Sequence, residues 1–124
     1  MSLRARLTPL AAADVAGALR QSFDLFGPRQ LAAYAELIES AIQALAANPD
    51  LQGSRARAEL GPSMRSLHLA QVARRRRAAR HELYYRVQNG RDGTPELVIM
   101  RVLHDAMEPA RRIKSALRDD LRRS

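Results

Sequence analysis

The stretch His81-Glu82-Leu83-Tyr84-Tyr85-Arg86-Val87, the turn residues Asn89-Gly90-Arg91-Asp92-Gly93, and then Leu97-Val98-Ile99-Met100-Arg101-Val102-Leu103 decide the fold. In the first part His81, Leu83, Tyr85 and Val87 alternate with Glu82, Tyr84 and Arg86, the period of a strand with one face toward a core. The last part is apolar throughout except for Arg101, as expected of an interior strand covered on both sides. Asn-Gly and Asp-Gly between them supply the positive-φ residues of a tight turn, so the two strands form an antiparallel hairpin.

Upstream, Arg65 to Leu69 alternates in the same way and adds a third strand. Leu51 to Ser63 carries Gly53, Gly61 and Pro62 among polar residues and reads as a loop, opened by the stop signal Asn48-Pro49-Asp50. Before it lie two helical patterns. Val15, Leu19, Phe23 and Phe26 recur every three or four residues after Thr8-Pro9, an N-cap with proline at the first helical position. Leu31, Ala35, Ile38, Ile42 and Leu45 do the same after Gly27-Pro28, with Tyr34 alongside, so a helical hairpin is expected. Leu3 to Leu7 has the period of a short strand. Ala110, Ile113, Leu117 and Leu121 return to helical spacing among Arg111, Arg112, Lys114, Arg118, Arg122 and Arg123, a basic amphipathic C-terminal helix.

The sequence therefore predicts one α+β domain over residues 1–124, with a core over 1–104 and a basic helix or tail over 105–124. Its order is an N-terminal strand, a two-helix hairpin packed on a small antiparallel sheet (β-α-α-β-β-β), and a short C-terminal helix. The apolar stripes of the hairpin should cover one sheet face, leaving the other face and an edge for partners.

With 124 residues, 46% of them hydrophobic, the chain suits a single globular domain. The absence of cysteine removes disulfides, thiolate catalysis and cysteine zinc sites, and fits a cytoplasmic setting. No apolar run approaches the roughly 20 residues that span a bilayer. The net charge of +8 points to an anionic partner, and since Lys114 is the only lysine, the charge is almost wholly guanidinium. A GC-rich genome also raises arginine, but it does not by itself produce a net charge.

No phosphate-binding glycine loop and no pair of histidines at helical spacing occurs, so neither a cofactor nor a metal is expected. His68, His81 and His104 each lie at or near a strand. His104 ends an interior strand where the chain turns away, a position that can hold a side chain rigidly and keep it accessible. Arg74, Arg75, Arg76 and Arg77 place four charges in an expected hairpin loop, suited to a phosphate backbone or an acidic protein, or else to plain solvation. Arg86 and Arg101 interrupt apolar strands and need partners if buried, with Glu82 or Glu96 as ion-pair candidates; otherwise they line an open face for a carboxylate or phosphate. With aromatic residues at 4% and Tyr85 assigned to the core, stacking on exposed bases is disfavoured.

Four pieces, in this order, resemble toxins of the RelE/ParE superfamily from bacterial type II toxin-antitoxin systems: Leu45-Ala46-Ala47-Asn48-Pro49, Glu59 to Leu69, Tyr84-Tyr85-Arg86-Val87, and Arg101-Val102-Leu103-His104-Asp105-Ala106-Met107. The resemblance covers about Leu7 to Ile113. It implies one of two activities: RelE-like members are ribosome-dependent ribonucleases that cut messenger RNA, whereas ParE-like members inhibit DNA gyrase without chemistry of their own. It also implies a co-encoded antitoxin, expected to be acidic and to form a hetero-oligomer with the toxin. The sequence departs from the ribonuclease pattern: Arg65 and His68 stand on the first strand of the sheet with no lysine, no tyrosine follows Tyr85, and Glu82 occupies a position where ribonuclease members tend to place arginine. The Arg-Val-Leu-His piece is closer to the ParE branch. Expected target-binding residues are Arg65, His68, Arg74, Arg75, Arg76, Arg77, Arg101 and His104; the ribonuclease alternative would use Arg86, Arg101 and His104. A basic nucleic-acid-binding module is the third reading.

Overall fold

The computed structural model describes residues 2–73 and 79–123, so the expectations for Arg74 to Arg77 lie outside the described residues. The chain runs β1 (Arg4–Leu7), α1 (Pro9–Phe26), α2 (Pro28–Ala47), β2 (Arg55–Ala56), β3 (Arg65–His68), β4 (His81–Asn89), β5 (Pro95–His104) and α3 (Pro109–Arg123). The strands form one sheet in the order β1-β5-β4-β3-β2. The expected α+β class and element order hold, with two differences. β1 pairs parallel to β5, Arg4 opposite Glu96 through Leu7 opposite Ile99, so the sheet is mixed. A two-residue β2 sits inside the segment read as a loop, antiparallel to β3, and is too short to show a period.

Local chemistry sets the joints. Thr8 caps α1 by accepting from the Ala11 amide at 3.0 Å, and its hydroxyl donates to the Met100 carbonyl at 2.8 Å, which fixes the start of the helix on β5. Gly27 takes φ 89°, a conformation costly for any side chain, and lets α1 pass directly into α2, where Pro28 supplies a preset first turn. The β4–β5 turn closes through Gly90 N–H to Thr94 O at 2.8 Å, with Gly93 at φ 79°.

Both faces of the sheet are covered. On one side Leu67, Leu83, Tyr85, Leu97, Ile99 and Val102 pack against Ala11, Ile38, Ala41 and Leu45 of the helical hairpin. On the other, Met64, Tyr84, Val98, Met100 and Leu103 pack against Ile113 and Ala116 of α3. The C-terminal helix therefore occupies the face expected to stand open. It is held by a buried Asp120 carboxylate that binds Arg6 of β1 at 3.0 and 3.3 Å, while Arg6 also reaches Glu96 at 3.0 Å.

Four positions assigned to apolar stripes are exposed: Phe23, Phe26, Ala110 and Leu121. Phe23 is 49% and Phe26 69% exposed, with Leu25 at 64%, and Leu121 of α3 is 77% exposed. Val15 and Leu19 keep their place against the core. Phe23, Leu25 and Phe26 gather at the α1–α2 joint as an apolar surface of a kind that usually marks a protein contact.

Candidate functional site: a histidine cleft at one end of the sheet

The C-terminal end of β5 and the N-terminal end of β4 bring His104 and His81 opposite one another, since the two are register partners. Their rings meet edge to face at 5.3 Å. Tyr34, one turn before Ile38 on the buried side of α2, reaches His81 Nδ1 with its hydroxyl at 2.6 Å, and the Arg80 amide donates to that hydroxyl at 3.2 Å. Around these groups Gln21, Ser22, Leu25, Phe26, Gln30 and Arg80 line a cleft of about 400 Å³ between the helical joint and the sheet.

The hydrogen bonds assign the tautomers. His104 Nδ1 accepts from the Ala106 amide at 3.0 Å, and His68 Nδ1 accepts from the Ala70 amide at 3.0 Å, so in both rings it is Nε2 that carries the proton. His68 Nε2 donates to Asp105 at 2.6 Å. The Arg80 amide donates to the Tyr34 hydroxyl, and the same hydroxyl shares a hydrogen bond with His81 Nδ1, so this nitrogen is engaged within the cleft. Burial lowers the His81 pKa, and the neighbouring His104 lowers it further. Burial also raises the Tyr34 pKa, which keeps the hydroxyl a donor.

Arg101 is not available to this cleft. β1 leaves the sheet after Leu7, and a bulge in β5 sets Tyr84 opposite Arg101 and Tyr85 opposite Ile99. The bulge turns the Arg101 side chain toward α1. There Asp14 receives Nε at 2.7 Å and the terminal nitrogen at 2.8 Å, and also accepts the Val102 amide at 3.0 Å. The carboxylate thus takes the place of the strand that β5 lacks beyond Leu7. Glu82 and Glu96, the partners expected for the strand arginines, are paired elsewhere: Glu82 with Arg55 at 3.4 Å and Arg57 at 3.6 Å, Glu96 with Arg6 at 3.0 Å. Arg86 instead donates to Gln88 at 2.7 Å, on the α3 side of the sheet.

The other expected site residues are spread out. Arg65 donates to Ser54 at 2.7 Å, its Nε 3.6 Å from Asp50 and without a hydrogen bond, on the hairpin side of β3; His68, three residues on, lies on the opposite face. Arg86, Arg101 and His104 do not converge. Sequence reasoning missed Asp14, Tyr34 and Arg80 as members of this region. Asp14 could have been found, because it falls on the buried stripe between Ala11 and Ala18 and a carboxylate there requires a cation.

Among the described residues, no group of three His, Asp or Glu is arranged to hold a metal ion, and no helix is long and apolar enough to cross a membrane.

Comparison with known proteins bears on this geometry. No curated protein matches the chain. Among solved structures, a chain of the toxin-antitoxin complex RelBE2 from Mycobacterium tuberculosis is 28% identical, with 84% of this chain and 99% of that chain covered and a TM-score of 0.47. Residues 5–109 match the family described as ParE toxin of type II toxin-antitoxin system, parDE. That span holds every strand but for Arg4 at the start of β1, the helical hairpin and the histidine cleft, and the chain belongs to this family of type II toxin-antitoxin toxins.

Proposed function

We propose that this toxin acts by binding DNA gyrase, without chemistry of its own, and is neutralised by a cognate acidic antitoxin in a cytoplasmic hetero-oligomer. The match to the ParE family over residues 5–109 carries the reading. Two features of the site support it. The residues a ribonuclease would use, Arg86, Arg101 and His104, lie apart, and the Arg101 charge is already compensated by Asp14. His68 and His104 engage their Nδ1 lone pairs on the Ala70 and Ala106 amides, and His81 Nδ1 is occupied by the Tyr34 hydroxyl, so none of these three nitrogens is free to act as a base on a ribose hydroxyl. The exposed Phe23, Leu25 and Phe26 surface suits a protein contact, and the net charge of +8 suits an acidic one.

The second reading, a ribosome-dependent endoribonuclease, draws on the proximity of His81, His104, Tyr34 and Arg80. A paired assay separates the two: purified toxin with gyrase, plasmid and ATP, and with translating ribosomes and messenger RNA, each repeated with His104→Ala. Trapped gyrase cleavage with intact messenger, little changed by His104→Ala, supports gyrase inhibition. Messenger cutting that His104→Ala reduces by orders of magnitude overturns it. Expression of a gyrase inhibitor arrests growth, whereas a basic nucleic-acid-binding module unrelated to toxicity leaves it unaffected. The same arrest is what a plasmid-stability system requires.

A further inference from the structure

We infer that the outer face of α3 is a binding surface for the phosphate backbone of duplex DNA; this rests on the gyrase reading, and identifies the DNA held by the enzyme as a direct contact of the toxin. At 100° per residue, Arg111, Arg118 and Arg122 fall in one row, with Ser115 between them and Lys114 beside it. The row lies opposite Ile113, Ala116 and Asp120, the residues that bury the helix on the sheet. It spans about 16 Å at 1.5 Å per residue.

Among the described residues nothing compensates the charges of this row. Arg111, Lys114, Arg118 and Arg122 are exposed, and among the described residues none supplies them with an ion pair or hydrogen bond. The two acids of the helix point elsewhere: Asp119 on the flank pairs with Arg123 at 3.0 Å, and Asp120 is buried on Arg6. Arg112, also on the flank, donates to the Glu108 carbonyl. The row is rigidly mounted as well, because Ile113, Ala116 and Asp120 dock the helix beneath it.

The composition of the face selects the partner. Protein interfaces have an apolar centre from which charge is depleted. The row on α3 contains only cations and a serine, the make-up of a surface that neutralises phosphates. The apolar Phe23, Leu25 and Phe26 surface at the α1–α2 joint has the opposite character. The fold thus carries one surface suited to a protein and another suited to nucleic acid.

The test is binding of the purified full-length chain to a fluorescent 30-base-pair duplex of arbitrary sequence, followed by anisotropy between 50 and 200 mM salt. The comparison is the triple variant Arg111→Gln, Arg118→Gln and Arg122→Gln, in which glutamine preserves helix propensity. Loss of three phosphate contacts should reduce the slope of log affinity against log salt by about 2.7 and weaken binding more than tenfold at 100 mM salt, with the thermal melt unchanged. Equal binding by both proteins, or no duplex binding by the native chain at 50 mM salt, would overturn the inference. Poly-glutamate competing as well as DNA at equal charge would overturn it in favour of an acidic protein partner. If the triple variant loses DNA but still inhibits gyrase fully, the inference fails and the gyrase reading stands. Duplex binding by α3 in a toxin without effect on gyrase gives the reverse result.

Discussion

Asp14 on α1 and Arg101 on β5 form a two-point ion pair, 2.7 and 2.8 Å, that closes the sheet edge where β1 ends. Each side chain is about 15% exposed, so neither charge could be left alone without cost. Asp14→Ala should destabilise the chain by about 3 kcal/mol, roughly 10 °C in melting temperature, because it leaves both the guanidinium and the Val102 amide without their acceptor. Chemical denaturation measures this. A change under about 0.5 kcal/mol would mean that the pair is a surface contact only.

Arg6 plays the corresponding part for α3. Its hydrogen bond to Asp120 raises its pKa, although burial opposes the shift. In Arg6→Ala the Asp120 carboxylate, 5% exposed, loses its main cation. Amide exchange should then accelerate across Pro109–Arg123 before it does in β4 and β5. Uniform acceleration through the whole chain would show that α3 does not open separately.

His81 makes stability depend on pH. Its folded pKa lies below the ordinary histidine value, because burial and His104 both disfavour the imidazolium. Below the unfolded value of about 6.5 the unfolded chain binds more protons, so stability is lost as pH falls from about 6.5 through the lowered folded pKa. Unfolding free energies at pH 7.5 and 5.5 should converge in His81→Phe; an unchanged dependence would assign it to another group.

Phe23 and Phe26 look like core residues in the sequence and are not. Phe26→Ala should change stability by less than about 1 kcal/mol, while Leu83→Ala should cost about 3 kcal/mol, since Leu83 is fully buried. Equal losses would place the end of α1 in the core.

Charge reversal of Arg74 to Arg77 tests the basic segment. If these arginines contact the target, toxicity falls while folding is unchanged; full toxicity in a folded variant removes them from the binding surface.

Much of this architecture was legible because period and burial coincide. Leu97 to Leu103 reads as an interior strand, and Leu97, Val98, Ile99 and Met100 are fully buried. Thr8-Pro9 and Gly27-Pro28 mark helix boundaries through backbone chemistry that needs no tertiary partner. What escaped depends on distant pairing. The parallel partner of β1, the acid that answers Arg101, and the surface covered by α3 are each settled by residues remote in sequence. Periodicity also cannot tell which members of an apolar stripe find a packing partner, which is why Phe23, Phe26 and Leu121 were assigned inward. The cleft escaped for a similar reason: Tyr34, His81 and His104 come from three elements, and no local pattern links them.

The pairing of β1 with β5 has a consequence for synthesis. The first strand finds its neighbour only when residues Glu96 to Ile99 exist, and Arg6 finds Asp120 later still. Such distant contacts slow folding and leave β1 without its partner until late in synthesis. A product of interrupted translation that ends before Pro95 lacks an interior strand and should be inert, not weakly toxic. The poison is thus withheld from the cell until Pro95–His104 has been translated.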